Sequence, residues 1–143
     1  MKEKRKQRIS VRSAKNKGKG FQNLIRDFFL ELLRSSTLRN FADGNDDIES
    51  RQMGGAGRDI IFHNRTAKRA LPYYSECKQG KRGFNPHQIF DKLTELATAD
   101  NKKPILFHRR DHHETLVTMS LETYKWLEEE RLSQYDWSKK CMS

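Results

Sequence analysis

The sequence predicts an α/β domain in which helices flank a small mixed sheet of five strands, in the order α-β-β-β-α-β-β-α. Two observations carry this. Segments with apolar residues at helical spacing alternate with short runs rich in aromatic and β-branched residues that end at Gly, Pro or Asn. The chain has 143 residues, which is enough for one core and too few for two independent enzymatic domains. Hydrophobic and charged residues each make up 34%, so the chain is polar, yet 10% aromatic residues argue against wholesale disorder.

Phe21, Leu24, Ile25, Phe28, Phe29, Leu32 and Leu33 recur at i, i+3, i+4, i+7, which predicts a first helix from about 21 to 34 with one wide buried face. The polar run "SSTLRNFADGNDD" reads as a loop. "IESRQMGGAGRDIIFHN" reads as a strand, a glycine-rich bend and a second strand, and "RTAKRALP" as a turn into "YYSECKQ", a third strand antiparallel to the second. "GFNPHQIFDKLTELATAD" predicts the second helix, with Asn85 as N-cap, Pro86 in its first turn, and Ile89, Phe90, Leu93, Leu96 and Ala97 buried. "KPILFHR" and "ETLVTMS" are two further strands joined by "RDHH", and Ser120 caps a last helix, "SLETYKWLEEERL". Trp126 belongs to the core, and Trp137 to an interface or tail.

Charge is unevenly spread. The first twenty residues hold nine Lys or Arg against one Glu, leaving twenty basic and eighteen acidic residues for the rest. Residues 1–19 therefore read as a flexible basic arm, 20–132 as the folded domain and 133–143 as a tail. Such an arm binds a polyanion by neutralising phosphates and releasing counterions, so nucleic acid is the first partner to expect; an acidic membrane surface and a simple solubility tail are the alternatives. No run of about 18 apolar residues exists to span a bilayer, and the arm is too polar for a signal peptide, so no membrane partner and a cytoplasmic location are expected. The two cysteines, Cys77 and Cys141, lie in no metal-binding spacing and are expected to be reduced thiols.

"YYSECKQGKR" sets a charged pair inside a strand. Alternation puts Glu76 and Lys78 on one face and Ser75 and Cys77 on the other. With the turn centred between Ala67 and Lys68, Asp59 falls opposite Glu76. Two facing carboxylates repel unless a cation lies between them, and Mg²⁺ takes oxygen ligands of this kind, with the Cys77 carbonyl as a third. Lys78, on the same face, is placed either to lower the pKa of a metal-bound water or to steady transition-state charge. Taken alone, Glu-x-Lys on an amphipathic edge strand is also what a solvated face looks like.

The conjunction of an Asp after a Gly-rich bend, Glu-x-Lys after two aromatics, flanking helices and a basic arm resembles the PD-(D/E)XK nuclease superfamily. The two-part motif here is Asp59 and Glu76-Cys77-Lys78. The pieces "KGKGFQNLIRDFFLELL", "RQMGGAGRDIIF", "RALPYYSECKQ" and "KKPILFHRR" resemble more closely still the small phage-encoded, Holliday junction resolvase-like members, over roughly residues 17 to 127. The resemblance implies a restriction-endonuclease-like fold and a homodimeric, structure-selective endodeoxyribonuclease that hydrolyses DNA, branched DNA included, with Mg²⁺ (Mn²⁺ able to substitute). It implies service in phage or prokaryotic recombination, in the host cytoplasm if phage-encoded. Catalysis falls to Asp59, Glu76 and Lys78, and metal binding to Asp59, Glu76 and the Cys77 carbonyl. Many archaeal-type resolvases carry a helix Glu ligand soon after a Lys-Gly pair; this chain has the neutral Gln22 there, with Asp27 and Glu31 further along. A helix Gln that meets the scissile phosphate in the superfamily corresponds to Gln88, with Lys92 an equal candidate.

Lys15, Lys17, Lys19, Arg58, Arg65, Lys68, Arg69, Lys81 and Arg82 are the candidate DNA-backbone contacts, against the plain reading of solvated charge. "HRRDHHE" holds three of the five histidines, His108, His112 and His113, but no further Cys or His completes four zinc ligands; it reads as a polar hairpin turn able to touch a phosphate. Two rivals share the same features: a non-catalytic nucleic-acid-binding protein on a degenerate nuclease fold, and an accessory protein with a basic tail.

Overall fold

A computed structural model describes residues 11–51, 57–80 and 84–139. The positions left outside include the first ten residues of the arm, most of the glycine bend, Lys81, Arg82 and Cys141. The described residues form α1 (Val11–Ser36), β1 (Ile48–Ser50), β2 (Ile60–Phe62), α2 (Arg65–Ala70), β3 (Tyr73–Gly80), α3 (Pro86–Ala99), β4 (Lys103–Arg110), β5 (Leu116–Thr118) and α4 (Leu121–Ser133). None of these helices is long and apolar enough to cross a membrane.

The predicted element order is present, with one addition. "RTAKRA", expected as part of a turn, is a helix of six residues because the Asn64 side chain caps it, accepting from the Thr66 and Ala67 amides at 2.9 and 3.2 Å. α1 also starts ten residues earlier than its apolar pattern, so residues 11–19 are helical rather than part of a flexible arm. A polar helical segment adds no apolar side chain to the core and so leaves no apolar periodicity to read.

The sheet differs from expectation. Five strands form two sheets: β1 with β2 antiparallel, and β3-β4-β5 with β3 parallel to β4 and β5 antiparallel to β4. The antiparallel ladder expected between the second and third strands is not formed. Their link is the Asp59 amide donating to the Ser75 carbonyl at 2.9 Å. On either side of that bond the β3 amides on this edge are taken elsewhere: Tyr73 N–H by the Leu71 carbonyl at 2.8 Å, and Cys77 N–H by the Asp59 side chain at 2.7 Å. β3 finds its ladder on the other edge, where the α3 crossover returns β4 parallel to it, with Glu76 beside Leu106 and Lys78 beside His108.

Two apolar clusters cover opposite faces of β3-β4. Phe21, Ile25, Phe29 and Leu33 of α1 pack on Tyr73, Cys77, Ile105 and Phe107, with Trp126 against the rim. Leu93 and Ala97 of α3 pack on Tyr74 and Leu106. Each fully buried side chain of this size contributes roughly 1.5–3 kcal/mol. The buried face of α1 is narrower than predicted: Leu24, Phe28 and Leu32 are 40–47% exposed, and so is Leu96 of α3 at 42%. The caps at Asn85 and Ser120 are as the sequence predicts. Trp126, expected in the core, is partly buried and packs edge-on against Tyr73 at the rim, while Trp137 is exposed beside Tyr135.

Candidate active site

Asp59 sits just before β2, where the backbone is clamped from both sides. Its carbonyl accepts the Arg51 amide at 2.7 Å, and the Arg51 side chain donates from Nε to the Arg58 carbonyl at 2.8 Å. Gly57 is needed here. It lies at φ +98°, and an added Cβ would come within 3.2 Å of the Arg51 guanidinium.

One Asp59 oxygen accepts the Cys77 amide, which locks the carboxylate to the edge of β3 at the centre of Glu-x-Lys. A strand residue sends its N–H and C=O out along the same edge, so the Cys77 carbonyl faces Asp59 as well. The proximity expected from the sequence is therefore formed, shifted by about a residue: Asp59 meets Ser75 and Cys77 through the backbone, with Glu76 between them.

The electrostatics record the crowding. Burial first, and the Glu76 charge second, push the Asp59 carboxyl up to about 6, against the opposing pull of the Cys77 amide, Lys78 and Arg51. Lys78 pairs with Glu76 at 2.9 Å. Burial pulls the Lys78 ammonium down, but the hydrogen bond and charge of Glu76, with Asp59 behind, outweigh it and leave the ammonium more firmly protonated than usual. Cys77 is no nucleophile. Burial, together with the two neighbouring carboxylates, drives its thiol far above the ordinary range.

Glu76 and Lys78 open into a cleft of about 570 Å³ whose far wall is α3, with Gly57 at one side. Gln88 and Lys92, the two candidates for contact with a phosphate, both line that cleft, and Ile89, Leu93 and Leu96 complete the wall. Gln22 does not line it. Its side chain is buried in α1, and its Oε1 has no hydrogen-bond partner. Asp27 and Glu31 border a separate surface groove on α1, away from the cleft.

The residues fit a hard divalent cation. Two carboxylates and a backbone carbonyl are oxygen donors, and a half-buried carboxylate pushed up by a like charge gains most from a cation. Among the described residues no three His, Cys, Asp or Glu side chains gather as a closed ligand set. A pair of carboxylates that leaves remaining positions to water and substrate is the manner in which Mg²⁺ is usually held.

The candidate DNA contacts separate into groups. Lys15 is exposed on α1. Lys17 pairs with Asp111 at 2.7 Å. Lys19 turns inward, donating to the Ser50 carbonyl, Ser50 Oγ and the Arg51 carbonyl at 2.6, 2.7 and 3.1 Å, and burial together with Arg26 lowers its pKa. This lysine braces the segment that holds Asp59, a role the basic composition of the arm concealed. Arg58 is likewise engaged, paired with Asp100 and stacked 5.3 Å over Tyr74. Arg65, Lys68 and Arg69 are exposed on α2, which leads into the start of β3, whereas Lys78 lies toward its end.

Comparison of the chain with protein-family models, curated proteins and solved structures finds no match.

Proposed function

We propose that this protein is a metal-dependent endodeoxyribonuclease of PD-(D/E)XK type, with a restriction-endonuclease-like arrangement of its two sheets, acting on branched DNA in the manner of a Holliday junction resolvase. The observation that carries the reading is that Glu76 and Lys78 pair at the wall of one cleft while the Asp59 carboxylate is fastened to the Cys77 amide between them. A solvated surface pair requires no such fastening and does not push a carboxyl up to about 6.

In this reading Asp59, Glu76 and the Cys77 carbonyl hold Mg²⁺ or Mn²⁺. The ion, when bound, supplies Lewis-acid polarisation of water and of a phosphate oxygen. Lys78 holds its proton throughout and places positive charge where the phosphorane oxygens develop theirs. Gln88 and Lys92 orient the phosphodiester from the α3 wall. Cutting both strands of a duplex or junction calls for two such clefts, so we propose a homodimer as the working form.

The test compares a synthetic four-way junction with a matched linear duplex, each with wild type and Glu76→Ala, in Mg²⁺ and in EDTA. Cleavage is expected with wild type in Mg²⁺ alone, faster on the junction. If wild type is inert in both Mg²⁺ and Mn²⁺ but binds DNA, the protein is a binding module on the same fold. Sedimentation of the DNA-free protein reads the oligomeric state.

A further inference from the structure

A second concavity, of about 310 Å³, lies on the other face of the sheet at the same end. It is lined by Lys17 of α1, Gln79 of β3, Arg109 of β4, and Asp111, His112 and His113 of the loop that follows. The turn "RDHH" was legible as a polar hairpin, but its meeting with the start of α1 was not.

The lining is built rather than merely solvated. The Arg109 guanidinium lies 5.0 Å over the Phe21 ring and donates to Gln79 Oε1 at 3.2 Å, so it is held while further N–H donors remain. Gln79 Nε2 donates to Asp111 Oδ1 at 3.3 Å, and Lys17 to Asp111 Oδ2 at 2.7 Å. The loop is pinned to the sheet by Asp111 N–H on the Gly80 carbonyl and His113 N–H on the Arg110 carbonyl, both at 3.1 Å. His112 sits at φ +63° within it. Asp111 thus occupies the place of an anion among donors, and two fixed cations outnumber its single charge before either histidine is counted.

Gln79 directly follows Lys78 in β3, and its register partner in β4 is Arg109. The two concavities therefore flank the C-terminal end of the same parallel strand pair, where ligands of α/β sheets bind. A nucleic-acid strand crossing that rim meets Lys78 on one side and Arg109 on the other.

We propose that this pocket is a phosphate subsite that grips the DNA backbone a short distance from the cleft, with Lys17, Arg109, His112 and His113 as donors and Asp111 as the residue a phosphate competes with. The proposal rests on the nuclease reading for its ligand, a phosphodiester of the substrate, and the two can fail separately.

The experiment measures binding of a labelled duplex in EDTA across a salt series for wild type, Lys17→Gln/Arg109→Gln and Asp111→Asn, alongside wild-type cleavage in Mg²⁺. Loss of one phosphate contact is expected to flatten the log–log salt slope by about 1, with binding weakened about tenfold in the double variant. Asp111→Asn is expected to bind several-fold more tightly, an effect opposite in sign to any folding defect. An unchanged slope in the double variant, or weaker binding by Asp111→Asn, overturns the subsite even if wild type cleaves. If the slopes move as expected while wild type fails to cleave in Mg²⁺, the subsite stands and the nuclease reading falls.

Discussion

The two faces of β3 carry the same backbone and opposite fates. On the α1 face Tyr73, Ser75 and Cys77 are covered along the strand by Phe21, Ile25 and Phe29 and their neighbours. On the α3 face cover stops after Tyr74: Leu93 and Ala97 close over it, while Glu76 and Lys78 open into the cleft. The chain exposes its chemistry by withholding a helix from half of one face, with no change in the strand itself. A strand so divided keeps its charged residues rigid, because their backbone is fixed by the ladder to β4 and by the packed face behind.

That contrast makes its sharpest claim for the open face. Glu76→Ala and Lys78→Ala are expected to lower single-turnover cleavage by about 10²–10³-fold or more while leaving the melting temperature near that of wild type. Lys78→Arg keeps the charge without the compact ammonium and is expected to retain part of the rate. Normal cleavage by Lys78→Ala would reduce the pair to a solvated face, and a large loss of stability in Glu76→Ala would dissolve the distinction between the faces.

The covered face should answer in stability. Phe29→Ala, at the centre of the α1 cluster, is expected to cost about 3–5 kcal/mol, and Cys77→Leu about 1–3 kcal/mol through overpacking. Chemical denaturation checks both. A Cys77→Leu protein as stable as wild type would mean that α1 sits loosely on β3.

Asp59 lies at the border of the two faces and should behave as neither. Its carboxyl is raised from the ordinary value to about 6, so the folded state binds this proton more tightly than the unfolded state does. Its contribution is therefore complete below about pH 4 and is lost as pH rises through about 6, a difference of roughly 3 kcal/mol in metal-free protein. Asp59→Asn keeps an acceptor for the Cys77 amide and removes the charge. It is expected to match wild type at pH 4 and to exceed it in stability at pH 8, and divalent cation should close the gap. A constant difference across pH would show that the charge is not what burial penalises.

Much of this was legible from the sequence, and what was not has physical reasons. Asn85 and Ser120 mark helix starts through local hydrogen bonds, which a sequence displays directly. That Glu76 and Lys78 share a face is legible because alternation assigns faces whichever neighbour a strand takes, whereas the sequence places Asp59 near them through a hairpin ladder that does not form. The split of the sheet is not legible, because the Tyr73 and Cys77 amides on that edge find the Leu71 carbonyl and the Asp59 side chain, and nothing in the sequence shows those partners. Nor is the inward turn of Lys19, since a basic run looks the same whether its lysines meet phosphate or the Ser50 carbonyl. Phe28 has the spacing of a core residue but only its edge reaches Phe107, at 6.3 Å between ring centres.

The smallest effect tests the covered face most closely. Ser75 is fully buried, and its Oγ has no hydrogen-bond partner, although its carbonyl holds Asp59. An unpaired buried hydroxyl costs about 1–3 kcal/mol, whereas deleting it leaves the backbone bond in place and a void of only one small atom. The two terms oppose each other, so Ser75→Ala is expected to leave stability unchanged or raise it by up to about 1 kcal/mol, with cleavage intact. A loss greater than about 1 kcal/mol would mean that the hydroxyl does have a partner.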